Sequence, residues 1–404
     1  MTRCGPAWEL VRARGAAAQL CVLRDGEVML DQATGCRPDD LFWIFSASKP
    51  YVAMLVHLLA EWGELSLDDP VARHWPEFGR YGKQAITIRH VLRHRAGVPV
   101  ARGVVADGWT MTDWDRSVRH IERATPRWPA GQVPAYHIVS YGFILGELLR
   151  RVSGVPVAAL LRSELLDPLG LADTHLGLPA SLWRRHVPIR APGAAAVAGR
   201  VLFNRRRTRE AVIPAAGVST TARDLARFYD MLRRGGELDG VRVVRPETVT
   251  EARRPSSDGE VDRFIRLPIR WAQGFQLGGP GAERGWRRPL GQRSSSLAFG
   301  HNGSNCYIGW ADPTRGIAFA YLTNLLVPGA CRRPASERRG RRGARVDLKP
   351  PFSVAFRMIV RLPSARPNRS AIPRRILQFA SWPSGTLHVG TLRAETLPIA
   401  ILLI

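Results

Sequence analysis

Residues 41–65, LFWIFSASKPYVAMLVHLLAEWGEL, decide how the rest of this 404-residue chain is read. From Tyr51 onward apolar residues recur at helical spacing, and Pro50 falls near a first turn, where a missing N–H is of little consequence. This pattern predicts a buried helix that starts at Ser46. Ser46-Ala47-Ser48-Lys49 opens it, and a three-residue spacing places Ser46 and Lys49 on one face of its first turn. A serine hydroxyl is a weak nucleophile until a neighbouring base takes its proton, and a lysine can do so only when neutral. Its pKa must then fall by about 3 units from about 10.4, a cost of roughly 4 kcal/mol. Burial and the positive end of a helix dipole both push it that way. The pair is therefore a candidate nucleophile and general base.

On the N-terminal side, residues 17–34 (AAQLCVLRDGEVMLDQAT) alternate as strands do around Asp25-Gly26, a dipeptide that favours a tight hairpin turn. On the C-terminal side, helical patterns punctuated by Gly97-Val98-Pro99 and Pro129-Ala130-Gly131 predict a helical lobe over about 60–160. TARDLARFYDMLRRGG follows as an amphipathic helix with a glycine stop, and then comes a turn at Gly240. Residues 271–325 return to strands in WAQGFQLG, SLAFGHNGS, CYIGWADP and GIAFAYLTN. Strands at both ends with helices between them imply an α/β fold in which the terminal segments share one sheet. The expected organisation is one hydrolase-like domain over 1–330. The stretch RAPGAAAVAGRVLFNRRR, about 190–210, is expected to be a surface loop. Residues 331–404, rich in Arg and Pro, are expected to be a disordered or aberrant tail.

Two further segments carry candidate chemistry. Tyr136 follows the turn Pro129-Ala130-Gly131-Gln132 and precedes a helical stretch, so its phenol can relay a proton between Ser46, Lys49 and a leaving group. Tyr141 competes with it but would lie inside the helix. His301-Asn302-Gly303-Ser304 opens a strand in which Gly303 would let a substrate approach the backbone, so that the N–H groups of Ser46 and Ser304 form an oxyanion hole. His90 and His94 share a predicted helical face at a spacing zinc can use, but no H-E-x-x-H pattern joins them and no metal or cofactor is expected. A G-x-S-x-G elbow is absent, and Cys306 reads as a small buried hydrophobe.

Composition narrows the function classes. The formal charge of +25 comes almost wholly from arginine, the lysines being Lys49, Lys83 and Lys349. About half the excess follows residue 330, where Glu337, Asp347 and Glu395 are the acids. This fits a bias spread along the chain better than a nucleic-acid-binding patch. Cys4, Cys21, Cys36, Cys306 and Cys331 form an odd, scattered set without a C-x-x-C pair, which suits reduced thiols. Neither a signal peptide nor a stretch of membrane-spanning length is recognisable, so the expectation is a cytoplasmic protein without a membrane span; the oligomeric state is not legible.

Taken in order, these motifs resemble the serine β-lactamase and penicillin-binding-protein superfamily, and in particular its esterase-like branch of class C-related enzymes and family VIII carboxylesterases. Ser46-Ala47-Ser48-Lys49 matches S-x-x-K, Tyr136-His137-Ile138 stands at the Tyr-x-Asn position, and His301-Asn302-Gly303 stands for Lys-Thr-Gly. The resemblance extends over about 15–327 and includes ITIRHVLRHRAGVP, DPLGLADTHLGLP and AAGVSTTARDLARFYDML. It implies an antiparallel sheet flanked by helices with an inserted helical lobe, an acyl-enzyme on Ser46, Lys49 and Tyr136 as proton carriers, Ser46 and Ser304 at the oxyanion hole, and substrate contacts from His301, Asn302 and Gly303. Two departures favour small neutral esters over β-lactams: Ile138 replaces the Asn that holds a substrate amide, and His301 replaces a fixed positive charge with a group that titrates near neutrality. The alternatives are β-lactamase or D-alanyl-D-alanine carboxypeptidase activity, and a non-catalytic homologue that only binds.

Overall fold

In the computed structural model, which describes residues 5–192, 197–257, 259–279, 290–291, 293–304 and 306–326, Asp25 and Gly26 both take positive φ, 51° and 91°. A type I′ turn needs this, and it joins β1 (Ala18–Arg24) to β2 (Glu27–Thr34). Three short strands, β3 (Phe42–Trp43), β4 (His175–Leu176) and β5 (Val218–Thr220), make a separate sheet in the order β3-β5-β4. A small hairpin follows, β6 (Glu237–Leu238) with β7 (Val241–Arg242). The main sheet is completed by β8 (Gln276–Leu277), β9 (Phe299–Gly303), β10 (Tyr307–Asp312) and β11 (Ile317–Thr323). Its order is β2-β1-β11-β10-β9-β8 with every pair antiparallel. The early and late strands thus share one sheet, Ala18 lying opposite Thr323.

Alternation along the strands gives this sheet two buried faces. Leu20 and Val22 of β1, Ile308 and Trp310 of β10, and Phe319 and Tyr321 of β11 pack with Ala7 and Val11 of helix α1 (Gly5–Arg12). On the opposite face, Cys21, Leu23, Ala318, Ala320 and Leu322 belong to the large core. That core also contains α2 (Lys49–Glu61), in which every residue from Lys49 to Leu59 is buried. Beyond α2 lie the lobe helices α3 (Val71–His74), α4 (Ile88–Leu92), α5 (Val104–Thr110), α6 (Trp114–Arg123), α7 (Ser140–Ser153) and α8 (Val157–Leu161). The chain returns through α9 (Val197–Asn204), α10 (Arg206–Glu210), α11 (Ala222–Arg233) and α12 (Pro246–Ala252). Among the described residues no helix is long and apolar enough to cross a membrane.

Three sequence-based expectations are corrected. The α-helix begins at Lys49, and Ser46 sits in a preceding 3₁₀ turn, Phe45–Ser48. Val197–Asn204 and Arg206–Glu210 are helices where a surface loop was expected. Phe203 is buried edge-on to Phe45, and the buried Arg209 donates to the carbonyls of Phe203 and Val187 and to Asn204. In WAQGFQLG only Gln276–Leu277 pairs as strand, because the backbone turns at Gly274 (φ 106°), with the Ala272 N–H donating to Phe275 O. The expected tail, 331–404, lies outside the described residues.

Candidate active site

The turn that carries Ser46 is pinned from both sides. Ile44 N–H donates to Val218 O at 2.9 Å, and Val218 N–H donates to Ser48 Oγ at 3.0 Å, so β5 fixes the entry and exit of the turn. Between them Phe45 is held at φ 49°, a left-handed conformation unfavourable for a side chain of that size. In a 3₁₀ turn, residues three apart eclipse one another, and Lys49 Nζ lies 3.2 Å from Ser46 Oγ. Nζ also donates to Ala215 O at 3.3 Å. Both side chains are buried, and no carboxylate pairs with Lys49 among the described residues.

Burial therefore pushes the Lys49 pKa well below its ordinary value. One interaction opposes this, because Nζ sits 4.7 Å from the Tyr136 ring centroid, where a cation is attracted to the π face. Such contacts are modest, about 0.5–2 kcal/mol, beside the complete desolvation of a lysine. Desolvation wins, and Lys49 is set up as a neutral amine beside the serine.

Tyr136 lies just before α7, its ring stacked on Trp271 at 5.4 Å and 12°. Its hydroxyl faces Ser46 without a direct hydrogen bond, and burial pushes its pKa up, so the resting phenol is protonated. Tyr141, on α7, lies farther from the lysine, with Nζ 5.8 Å from its ring. The other members of the motif are structural: His137 Nδ1–H donates to Ala135 O at 2.7 Å while Nε2 accepts from Val98 N–H at 3.2 Å. Ile138 is buried and offers only its backbone N–H, to Pro99 O.

At the end of β9, Gly303 faces the nucleophile turn: a Cβ built there would stand 1.9 Å from Ile44 O and 3.2 Å from Ala47 N. The close approach expected of a substrate is made by the protein's own backbone, and it brings the Ser304 segment against the turn that carries Ser46. His301 is also corrected. It is buried, Nδ1–H donates to Asn302 O at 2.6 Å, and Nε2 has no partner among the described residues. Burial, reinforced by Lys49, lowers its pKa to about 3, so it is neutral at physiological pH and does not titrate there. Asn302 directs its N–H to Gln276 Oε1 at 3.2 Å.

Two contributors escaped the sequence reading. Trp271 covers Tyr136 from a loop 135 residues away, and its only local signal is an aromatic residue ahead of a strand pattern. His94 packs against Tyr136, Tyr141 and Trp271 with ring centroids 4.7–4.8 Å apart. The zinc-like spacing of His90 and His94 fails because α4 ends at Leu92 and His94 turns away at φ 56°, while His90 caps α4 through Thr87. Among the described residues no group of three or more His, Cys, Asp or Glu side chains is arranged to hold a metal ion.

Comparison with known proteins bears on the family and the fold. The Beta-lactamase family model matches residues 9–343. The Mycobacterium tuberculosis esterase/β-lactamase LipL is 32% identical over 355 residues, covering 78% of each chain. Among solved structures, a penicillin-binding-protein homologue from Caulobacter crescentus superposes with a TM-score of 0.70 at 30% identity, covering 81% of this chain and 93% of that one. A family VIII carboxylesterase superposes with a TM-score of 0.72 at 25% identity, covering 88% and 97%. A serine–lysine pair at the mouth of a buried helix, the antiparallel sheet beside it and these likenesses lead to one assignment: the chain belongs to the β-lactamase family, in the esterase-like branch of the serine β-lactamase and penicillin-binding-protein superfamily.

Proposed function

We propose that this protein is a serine hydrolase that cleaves small carboxylic esters through an acyl-enzyme on Ser46. The observation that carries the proposal is the buried Lys49 amine, 3.2 Å from Ser46 Oγ and without a carboxylate partner. Neutral Lys49 takes the Ser46 proton as Oγ attacks the ester carbonyl, and the N–H groups of Ser46 and Ser304 receive the developing oxyanion. Tyr136 delivers a proton to the departing alkoxide, and water then enters to release the acid, with Lys49 and Tyr136 exchanging protons in the reverse sense.

Preference for esters over β-lactams follows from what surrounds these groups. A β-lactam needs a hold on the amide and carboxylate flanking its ring; Ile138 offers no side-chain polar group there, and His301 at a pKa of about 3 carries no charge. The missing partners correspond to a few kcal/mol of discrimination, or about two orders of magnitude in rate. A panel of p-nitrophenyl acetate and butyrate run beside a chromogenic cephalosporin tests this, with the esters expected to show the higher kcat/KM. Equal or better turnover of the cephalosporin would replace the esterase reading with the β-lactamase one. Failure of a fluorophosphonate to add to Ser46, seen by intact mass, would leave a binding protein.

A further inference from the structure

We propose that Asp262 is a positioning residue for Tyr136, a buried carboxylate that fixes the phenol against Ser46 and Lys49 by way of Trp271. The inference rests on Tyr136 being the proton donor of the reaction above. Asp262 is fully buried. Its Oδ1 accepts the N–H groups of Phe264 and Ile265, each at 2.9 Å, and its Oδ2 accepts Trp271 Nε1–H at 3.1 Å. No arginine or lysine makes an ion pair with Asp262 among the described residues, so its charge is balanced by N–H dipoles alone.

The Oδ2 bond ends on a residue that touches Tyr136, and the Oδ1 pair holds the carboxylate in place. Trp271 lies parallel to the Tyr136 ring and edge-on to His94, which closes another side of that ring. The residue after Asp262 continues the clamp: Arg263 N–H donates to Pro134 O at 2.8 Å, two residues before Tyr136. If this loop served only to pack, the link made by Arg95 would suffice, since its guanidinium bonds Gly131 O and Gln132 O on one side and Ser256 O and Glu260 on the other. A buried, unpaired carboxylate carries a desolvation penalty of several kcal/mol that mere packing would avoid. What it adds is a rigid two-oxygen acceptor that orients an indole and, through it, a phenol whose hydroxyl has no hydrogen-bond partner among the described residues.

The test measures kcat per active site, with sites counted by exhaustive fluorophosphonate labelling of Ser46 and ethyl butyrate, whose alkoxide leaving group needs a proton, as substrate. In Asp262→Asn a single oxygen cannot serve both the backbone pair and Trp271, and the amide NH₂ opposes an N–H. Misplacing a proton carrier by a fraction of an ångström is expected to lower kcat per labelled serine by about 10- to 100-fold, with KM changing less than about threefold. Trp271→Phe keeps an aromatic ring beside Tyr136 and removes the Nε1–H donor together with part of the indole; kcat per labelled serine is expected to fall severalfold. A merely structural role would reduce the number of labelled serines and leave kcat per site unchanged, which would overturn the proposal. Should Asp262→Asn fail to fold, wild-type kcat in Trp271→Phe would overturn it equally. Absence of Ser46 labelling in the wild-type protein would instead refute the acyl-enzyme reading on which the proposal stands.

Discussion

Replacing Gly303 by Ala presses directly on the relation between β9 and the nucleophile turn. The added Cβ would stand 1.9 Å from Ile44 O, where contacts under 3.0 Å are essentially never seen, so the two backbones must part by about 1 Å. Neither side yields easily. Ile44 is bonded to Val218, Gly303 pairs with Tyr307, and Cys306 N–H returns to Gly303 O at 3.0 Å. Relief therefore comes by widening the gap between Ser46 and Ser304, the two segments that would share the oxyanion. Overpacking of this kind costs about 1–3 kcal/mol of stability. A misplacement of about 1 Å, or the loss of one oxyanion donor, lowers turnover by about 10²-fold. The assay is kcat/KM for p-nitrophenyl butyrate per fluorophosphonate-labelled serine, with thermal melting alongside. Gly300→Ala is the comparator: its Cβ would stand 2.4 Å from Gly309 O, a clash inside the sheet and away from the turn. It is expected to destabilise the protein while costing less than about tenfold in kcat/KM per labelled site. If Gly303→Ala kept wild-type kcat/KM, or if Gly300→Ala lost as much, the argument that Gly303 sets the oxyanion geometry would be wrong.

Ser46→Ala is expected to abolish both turnover and covalent labelling, and undiminished labelling of that variant would refute the assignment of the nucleophile. Because burial holds Lys49 well below its ordinary pKa and a base acts only when unprotonated, kcat/KM should rise through an acid limb and be developed by neutral pH; a profile still climbing at pH 10 would contradict this, and Lys49→Ala should be crippled at every pH. Asp224, buried with Thr174 Oγ1 and Asp173 N–H on its carboxylate, is raised to about 6. The folded state then binds its proton more tightly than the unfolded chain, so its stabilising contribution is full below about pH 4 and is lost, by about 3 kcal/mol, as pH rises through 6. Urea unfolding at pH 4.5 and 7 should show Asp224→Asn gaining on wild type at the higher pH, and an unchanged difference would count against the shift.

What could be read from the sequence was what neighbours in sequence determine. The Asp25-Gly26 turn, the run of buried residues in α2 and the Ser46–Lys49 contact all depend on spacings of a few residues, and periodicity or turn chemistry reveals them. The start of α2 was misplaced by three residues because the 3₁₀ turn is held by Val218, a partner that no local pattern announces. Trp271, Asp262 and His94 reach Tyr136 only through the packing of separate loops, so their roles have no periodic signature. The charge state of His301 was misjudged for a related reason: a residue's identity sets its ordinary pKa, but complete burial beside Lys49 moves it, and burial is a property of the assembled fold.

Pairing β1 with β11 along its whole length, from Ala18 opposite Thr323 to Arg24 opposite Ile317, also dictates when the molecule can fold. The two strands are separated by roughly 300 residues, a contact of very high order that forms slowly because a long loop must close first. At about 5–20 residues per second, a ribosome completes β11 on the order of 15–60 s after β1 has emerged. Through that interval the β1–β2 hairpin can form, but the other edge of β1 presents unpaired N–H and C=O groups on a strand that is apolar on both faces. Slowing translation lengthens this exposure without bringing the partner strand any nearer.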